Sequence, residues 1–209
     1  MKRLLALWLV LTMGAFFAGC TPEEPEEQYS AKPVLYLYPQ EQTEVRVKLD
    51  YDGELLSTWP KSDGSWTVLA QPDGTLTDEA GETYSYLFWE GKDSIAYDFS
   101  RGFVVRGEET GTFLRRTLSA MGLTPREYNE FIVYWLPQME GNPYNLLAFQ
   151  QEAYTAHAAL SIEPEPDSVL RVFLAWKPLE AFQEIAPQDI VPFERKGFVA
   201  VEWGGTKVE

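Results

Sequence analysis

His157 is the single histidine of a 209-residue chain, so any Ser–His–Asp relay would have to run through it. Its flanks, Ala156 and Ala158-Ala159, carry no nucleophile. A nucleophile elbow of the form G-x-S-x-G is absent, as are H-E-x-x-H, a Cys/His zinc cluster and the phosphate-cradling G-x-x-x-x-G-K-[ST]. Asp50-x-Asp52-Gly53-Glu54 opens like a calcium loop, but Leu55 and Lys61 stand where that loop needs Gly and Glu, and a turn is the better reading. No metal site and no cofactor are expected. Carboxylate chemistry remains open. A glycosidase needs two acids roughly 5–10 Å apart across a cleft, and Glu90, Asp98, Glu130, Glu152 and Glu202 each lie within two residues of an aromatic. The aromatics are the other lead. Beyond the first twenty residues the tryptophans are Trp59, Trp66, Trp89, Trp135, Trp176 and Trp203, and the last four fall at or near strand ends. Trp89-Glu90-Gly91 and Glu202-Trp203-Gly204-Gly205 repeat one arrangement, an acid beside an indole with glycine following. Flat aromatic area at low entropic cost suits sugar or peptide recognition. The expectation is a shared ligand-binding surface with Trp89 and Trp203 on its rim and Glu90 and Glu202 beside them.

Cys20 is the only cysteine, so no disulfide can form within one molecule. It follows a positive pair, Lys2-Arg3, an apolar run from Leu4 to Phe17, and Ala18-Gly19. Charge, apolar run and small residues in that order make a secretory signal. Leu4 to Gly19 is about sixteen residues, short of the roughly 18–20 that span a bilayer. Phe17-Ala18-Gly19-Cys20 resembles the lipobox of bacterial lipoproteins, with Phe17 where leucine is usual. That resemblance implies removal of residues 1–19 and diacylglyceryl attachment at Cys20. The expected partner there is the lipid bilayer and the expected location is the extracytoplasmic side of the cell membrane.

The chain holds 17 basic and 32 acidic residues, and removing residues 1–19 moves its net charge from −15 to −17. Nucleic-acid binding depends on Lys and Arg neutralising phosphates, which excludes it here. An anionic membrane surface is disfavoured for the same reason. At 45% hydrophobic and 14% aromatic the chain is too apolar for disorder. Residues 20–31 form a Pro/Glu tether; fully stretched, Thr21 to Ala31 reaches at most ~36 Å at ~3.3 Å per residue.

The elements that must position these side chains follow from residue 32 onward. Val34–Tyr38 is continuously apolar, a strand covered on both faces. Thr43–Leu49 alternates, with Val45, Val47 and Leu49 inward. Asp52-Gly53, Asp63-Gly64 and Asp73-Gly74 read as hairpin turns, with strands at Trp66–Ala70, Thr83–Trp89 and Phe103–Arg106. The period then becomes helical over Glu108–Met121, with Gly122 as the stop. Thr124-Pro125 with Glu127 forms a capping box opening a short helix to about Glu130. Phe131–Leu136, β-branched and aromatic and followed by Pro137, reads as a strand. Tyr144–Gln150 and Ala158–Ile162 read as paired strands, Val169–Trp176 as a further one, and Phe198–Trp203 as the last, ended by Gly204-Gly205. The fold class is α+β: β-rich antiparallel, sandwich-like sheets with a helical pair inserted after the first strands. Residues 32–209 are read as one globular domain, with a β-rich half (32–106) and a helix-containing half (107–209) as the alternative division.

The blocks KPVLYLYP (32–39), YSYLFWEG (84–91), FIVYWLP (131–137), NPYN (142–145), FERKGF (193–198) and VEWGG (201–205) together resemble a family of uncharacterised secreted or lipid-anchored bacterial proteins, mostly of Gram-positive anaerobes. The resemblance covers the mature domain, supports the localisation and lends no site. The expected function is a tethered binding or envelope-scaffold module engaging cell-wall glycan, peptide or a surface protein. A hydrolase of cell-wall or dietary polysaccharide, using paired carboxylates, is the alternative.

Overall fold

The computed structural model describes residues 28–208, and Cys20, the signal segment and most of the tether lie outside them. The chain opens with β1 (Gln28–Tyr38), β2 (Thr43–Tyr51), β3 (Glu54–Trp59) and β4 (Ser65–Ala70). Two short strands, β5 (Leu76–Thr77) and β6 (Thr83–Tyr84), precede β7 (Leu87–Asp93) and β8 (Phe103–Arg106). A 3-10 turn, Gly107–Glu109, leads into α1 (Thr110–Met121) and α2 (Pro125–Met139). Then come β9 (Tyr144–Phe149), α3 (Gln151–His157), β10 (Ala158–Glu163), β11 (Ser168–Leu179) and β12 (Val199–Lys207). Seven strands form one sheet in the order β3-β7-β1-β12-β11-β9-β8, and five form another in the order β10-β2-β4-β5-β6. The class is α+β and β-rich, as expected.

The larger sheet is the middle of three layers, because its central strands are apolar on both faces. Val34 and Tyr36 of β1, with Val201 and Trp203 of β12, face Leu114, Leu118, Phe131 and Trp135 of the helical pair. Leu35 and Leu37, with Ala200 of β12 and Phe173 of β11, face Val45, Val47, Trp66 and Val68 of the smaller sheet. Strands from both ends of the chain alternate within each sheet: β1 lies between β7 and β12, and β2 pairs with β10. A cut at residue 106 therefore runs through both sheets.

The alternation of β2 is as expected, with Val45, Val47 and Leu49 buried. Helix α1 ends at Gly122, which takes a left-handed φ of 105°, and Thr124 and Glu127 complete the capping box of α2. Four expectations need correction. Phe131–Leu136 is helical, the middle of α2, where Phe131, Trp135 and Met139 recur every fourth residue and are buried. Pro137 is tolerated because the carbonyl it leaves unbonded belongs to Val133, which is 75% exposed to water. The Asp52-Gly53 and Asp63-Gly64 turns are not hairpins, since β3 belongs to the larger sheet while β2 and β4 belong to the smaller; Asp73-Gly74 alone joins paired strands. The segments around Tyr144 and Ala158 do not pair with each other: β9 pairs with β8 and β11, and β10 with β2.

The fourth concerns Gly204-Gly205, which does not end β12. The strand continues to Lys207, because the missing side chains let β1 and α2 close on it. A Cβ at Gly204 would lie 3.1 Å from Cα of Pro33, and one at Gly205 would lie 2.6 Å from the Leu174 carbonyl oxygen and 2.9 Å from the Trp135 ring. Gly205→Ala is expected to cost about 1–3 kcal/mol by overpacking. Urea unfolding measures it, and unchanged stability would show that Trp135 retreats freely.

Candidate functional site

The four side chains expected at a ligand surface lie in the interior or face the helices. Trp89 is 2% exposed and Trp203 fully buried, so neither lines a rim. Trp203 packs edge-on against Phe131 at 5.3 Å on the helical face, while Trp89 stacks with Tyr154 at 6.2 Å on the inter-sheet face. Glu202 is fully buried between the sheets and accepts hydrogen bonds from Trp89 Nε1 at 3.2 Å and Arg171 Nε at 2.7 Å. Glu90 is half-buried and raises the pKa of the Tyr134 phenol, though burial of that ring is the larger cause. Trp89 and Glu202 thus do meet, as members of a structural cluster. The rim expectation fails because Trp89 points between the two sheets and Trp203 against the helices, and both positions are dry.

The remaining acids serve separate networks. Glu130 accepts the Tyr36 hydroxyl at 2.8 Å; burial first and Glu130 second raise that phenol's pKa far above its ordinary value. Glu127 caps Thr124 N–H at 2.7 Å and pairs with Arg195, which reaches it from the long segment joining β11 to β12. Of the five candidate acids, Asp98 and Glu152 line one hollow, of about 590 Å³, together with Gln150, Gln188 and Asp189. The Ser100 N–H and hydroxyl hold Asp98 below the usual carboxylate range, which suits an ionised acceptor and not a proton donor. Among the described residues every carboxyl with a displaced pKa (Asp73, Asp78 and Asp98) moves downward, the opposite of a general acid. His157 Nδ1 lies 3.2 Å from Asp52 Oδ2 at the surface, joining the end of α3 to the corner after β2. No group of His, Cys, Asp and Glu among the described residues fits a metal ion.

One tryptophan of the six is at the surface. Trp59 is 60% exposed, whereas Trp66, Trp89, Trp135, Trp176 and Trp203 are buried. Its place follows from the fold. β3 is an edge strand of the larger sheet and β6 an edge strand of the smaller, and Trp59 at the end of β3 meets Tyr84 of β6 across the gap, with centroids 6.1 Å apart and planes at 76°. Tyr84 donates to Asp78 Oδ2 at 2.9 Å, and Asp78 Oδ1 accepts the N–H groups of Ala80 and Glu82 at 3.0 and 2.9 Å. These bonds, the Tyr84 hydroxyl first, keep Asp78 ionised below its ordinary range.

Behind Trp59 the turn is braced: Trp66 Nε1 donates to the Pro60 carbonyl at 2.9 Å, and Thr58 and Ser62 exchange two hydrogen bonds at 2.8 and 2.9 Å. The indole is thus presented on a fixed turn beside a second ring and an ionised carboxylate, a shelf on which a flat or hydroxylated ligand can lie. Within the larger sheet Glu54 pairs with Lys92 near the end where the chain enters β1, and Trp59 pairs with Phe88 toward the other end of β7, about 17 Å along the strand at ~3.3 Å per residue. Sequence reasoning missed this residue by favouring tryptophans at the ends of strongly apolar strands. The legible signal was weak: β3 mixes polar and apolar residues, and its exposed positions are Glu54, Leu56 and Trp59, while Thr58 is buried.

A groove of about 700 Å³ lies at the opposite edge of the larger sheet, between β8, the start of α1 and residues 182–187. Among the described residues no helix is long and apolar enough to cross a membrane.

The chain is 40% identical over 93 residues to the "Uncharacterized protein in bglA 3'region" of Butyrivibrio fibrisolvens, an alignment covering 43% of this chain and 96% of that protein. No family model matches the chain. No solved structure matches it either.

Proposed function

We propose that this chain, which belongs to the same family as the uncharacterised bglA 3′-region protein of Butyrivibrio fibrisolvens, is a lipid-tethered binding module on the extracytoplasmic face of the membrane that holds a glycan on its Trp59–Tyr84 shelf. The observation that carries this reading is the exposure of Trp59 alone among six tryptophans, on a turn braced by Trp66, Thr58 and Ser62. Folding gains nothing from leaving an indole in water, so a rigid exposed one beside an ionised carboxylate is suited to a ligand's flat face. Acylation of Cys20 supplies the tether, and the acidic stalk keeps the domain off an anionic surface.

Full-length protein in nonionic detergent, applied to glycan arrays and to insoluble peptidoglycan, tests the reading. Wild type is expected to be retained, and Trp59→Ala to lose at least about tenfold in retention with stability within about 0.5 kcal/mol of wild type, as for a surface substitution. If wild type is not retained on any glycan, or Trp59→Ala is retained equally, the reading fails.

A further inference from the structure

The geometry points to a second, independent binding site: the groove beside β8 takes an extended, cationic peptide segment as an added strand. Among the described residues β8 is the last strand of its sheet and pairs with β9 alone. Its backbone register is fixed at one point by Gly102, whose N–H donates outward to the Ala186 carbonyl at 2.9 Å. In an antiparallel pair the outward-pointing groups alternate, so Val104 and Arg106 point the same way as Gly102. The Arg106 carbonyl is taken by the Thr110 hydroxyl at 2.9 Å. Val104 N–H and C=O are therefore the open donor and acceptor of this edge, the pair that strand addition uses.

The groove has the form of a slot for one chain. It is closed at one end by the bridge between Arg101 and Ala186 and walled by β8 on one side and residues 182–187 on the other. Phe103 and Val105 point toward α1, where Phe103 meets Phe113 at 5.1 Å, and these half-buried side chains give the slot an apolar floor. Phe182, 61% exposed, stands on the far wall against Tyr144. Three carboxylates, Glu108, Glu109 and Glu184, line it with one guanidinium, Arg116, while the arginines at its ends are engaged elsewhere, Arg101 with Asp189 and Arg106 over the Tyr144 ring. That excess selects the occupant: an extended segment of another protein with alternating apolar and basic side chains. A second copy of this chain, at net charge −15, and its own acidic residues 21–27 are both repelled. The slot lies on the edge opposite Trp59, so the two sites are separable.

The probe is a short fluorescein-labelled peptide of alternating valine and lysine, titrated into full-length protein in nonionic micelles, with empty micelles as reference, and read by anisotropy. Saturable binding is expected. It should weaken at least about tenfold when glutamate replaces the lysines, and likewise in the double variant Glu108→Lys, Glu184→Lys. N-methylation of alternate peptide amides is expected to abolish binding in at least one of its two phases, because one set of amides faces Val104. Val104→Pro should abolish it too, with a melting curve confirming the fold, and Trp59→Ala should leave it unchanged. The proposal is overturned if the valine–lysine peptide does not bind, if the glutamate peptide binds equally, if both N-methylated phases bind like the parent, or if the charge-reversed variant retains wild-type affinity.

Discussion

Arg171→Ala is expected to destabilise the protein by about 3–5 kcal/mol, the usual cost of stranding one charge of a buried pair. Arg171 on β11 stands in register with Glu202 on the parallel neighbour β12, and its Nε donates to Glu202 Oε2 at 2.7 Å. The arginine side chain is 11% exposed and the glutamate fully buried. Removing the guanidinium leaves the carboxylate between two sheets with Trp89 Nε1 as its remaining side-chain donor, and it also removes the cation lying 4.8 Å from the centre of the Tyr154 ring. The loss reports the stranded charge, not the worth of the pair. Combining Arg171→Met with Glu202→Leu should accordingly recover most of the stability, since apolar residues of similar volume fill such a site at little cost. Urea denaturation of the two singles and the double gives the cycle. A wild-type midpoint for Arg171→Ala, or a double variant no better than the singles, contradicts this account of the inter-sheet core.

The second large effect is at Cys20. Cys20→Ala is expected to abolish incorporation of a fatty-acid analogue and to leave an uncleaved precursor about nineteen residues longer than the mature chain. Acyl chains hold a protein to a bilayer firmly, each buried CH₂ contributing about 0.8 kcal/mol. With the thiol gone, the apolar run from Leu4 to Gly19 is the expected remaining hold on the membrane. Metabolic labelling followed by electrophoresis reads both outcomes, and equal labelling of wild type and variant would refute acylation at this position.

Much of the architecture was legible in local pattern. Alternation placed Val45, Val47 and Leu49 inside, and five contiguous apolar residues at 34–38 announced a strand covered on both faces. Thr124, Pro125 and Glu127 announced the start of α2. The same helix shows where local reading stops. Six β-branched, aromatic or aliphatic residues from Phe131 to Leu136 satisfy a strand as well as a helix, and only the burial of Phe131, Trp135 and Met139 against the sheet separates the two.

Partner choice was beyond the sequence altogether. β1 finds β12, and β2 finds β10, across more than half the chain, while the Asp-Gly turns that look like hairpins at 52–53 and 63–64 carry the chain from one sheet to the other. The candidate site turned on that difference. The sequence alone determined the side chains available: a lone cysteine behind an apolar run, six tryptophans beyond residue 20, an acidic balance and no nucleophile motif. Which tryptophan meets water was settled by tertiary structure. Placing helices on one face of the larger sheet and a second sheet on the other dried Trp89, Glu202 and Trp203 together, although strand neighbours point opposite ways. Trp59 stayed wet because β3 is an edge, and a strand becomes an edge only when every other pairing has been made.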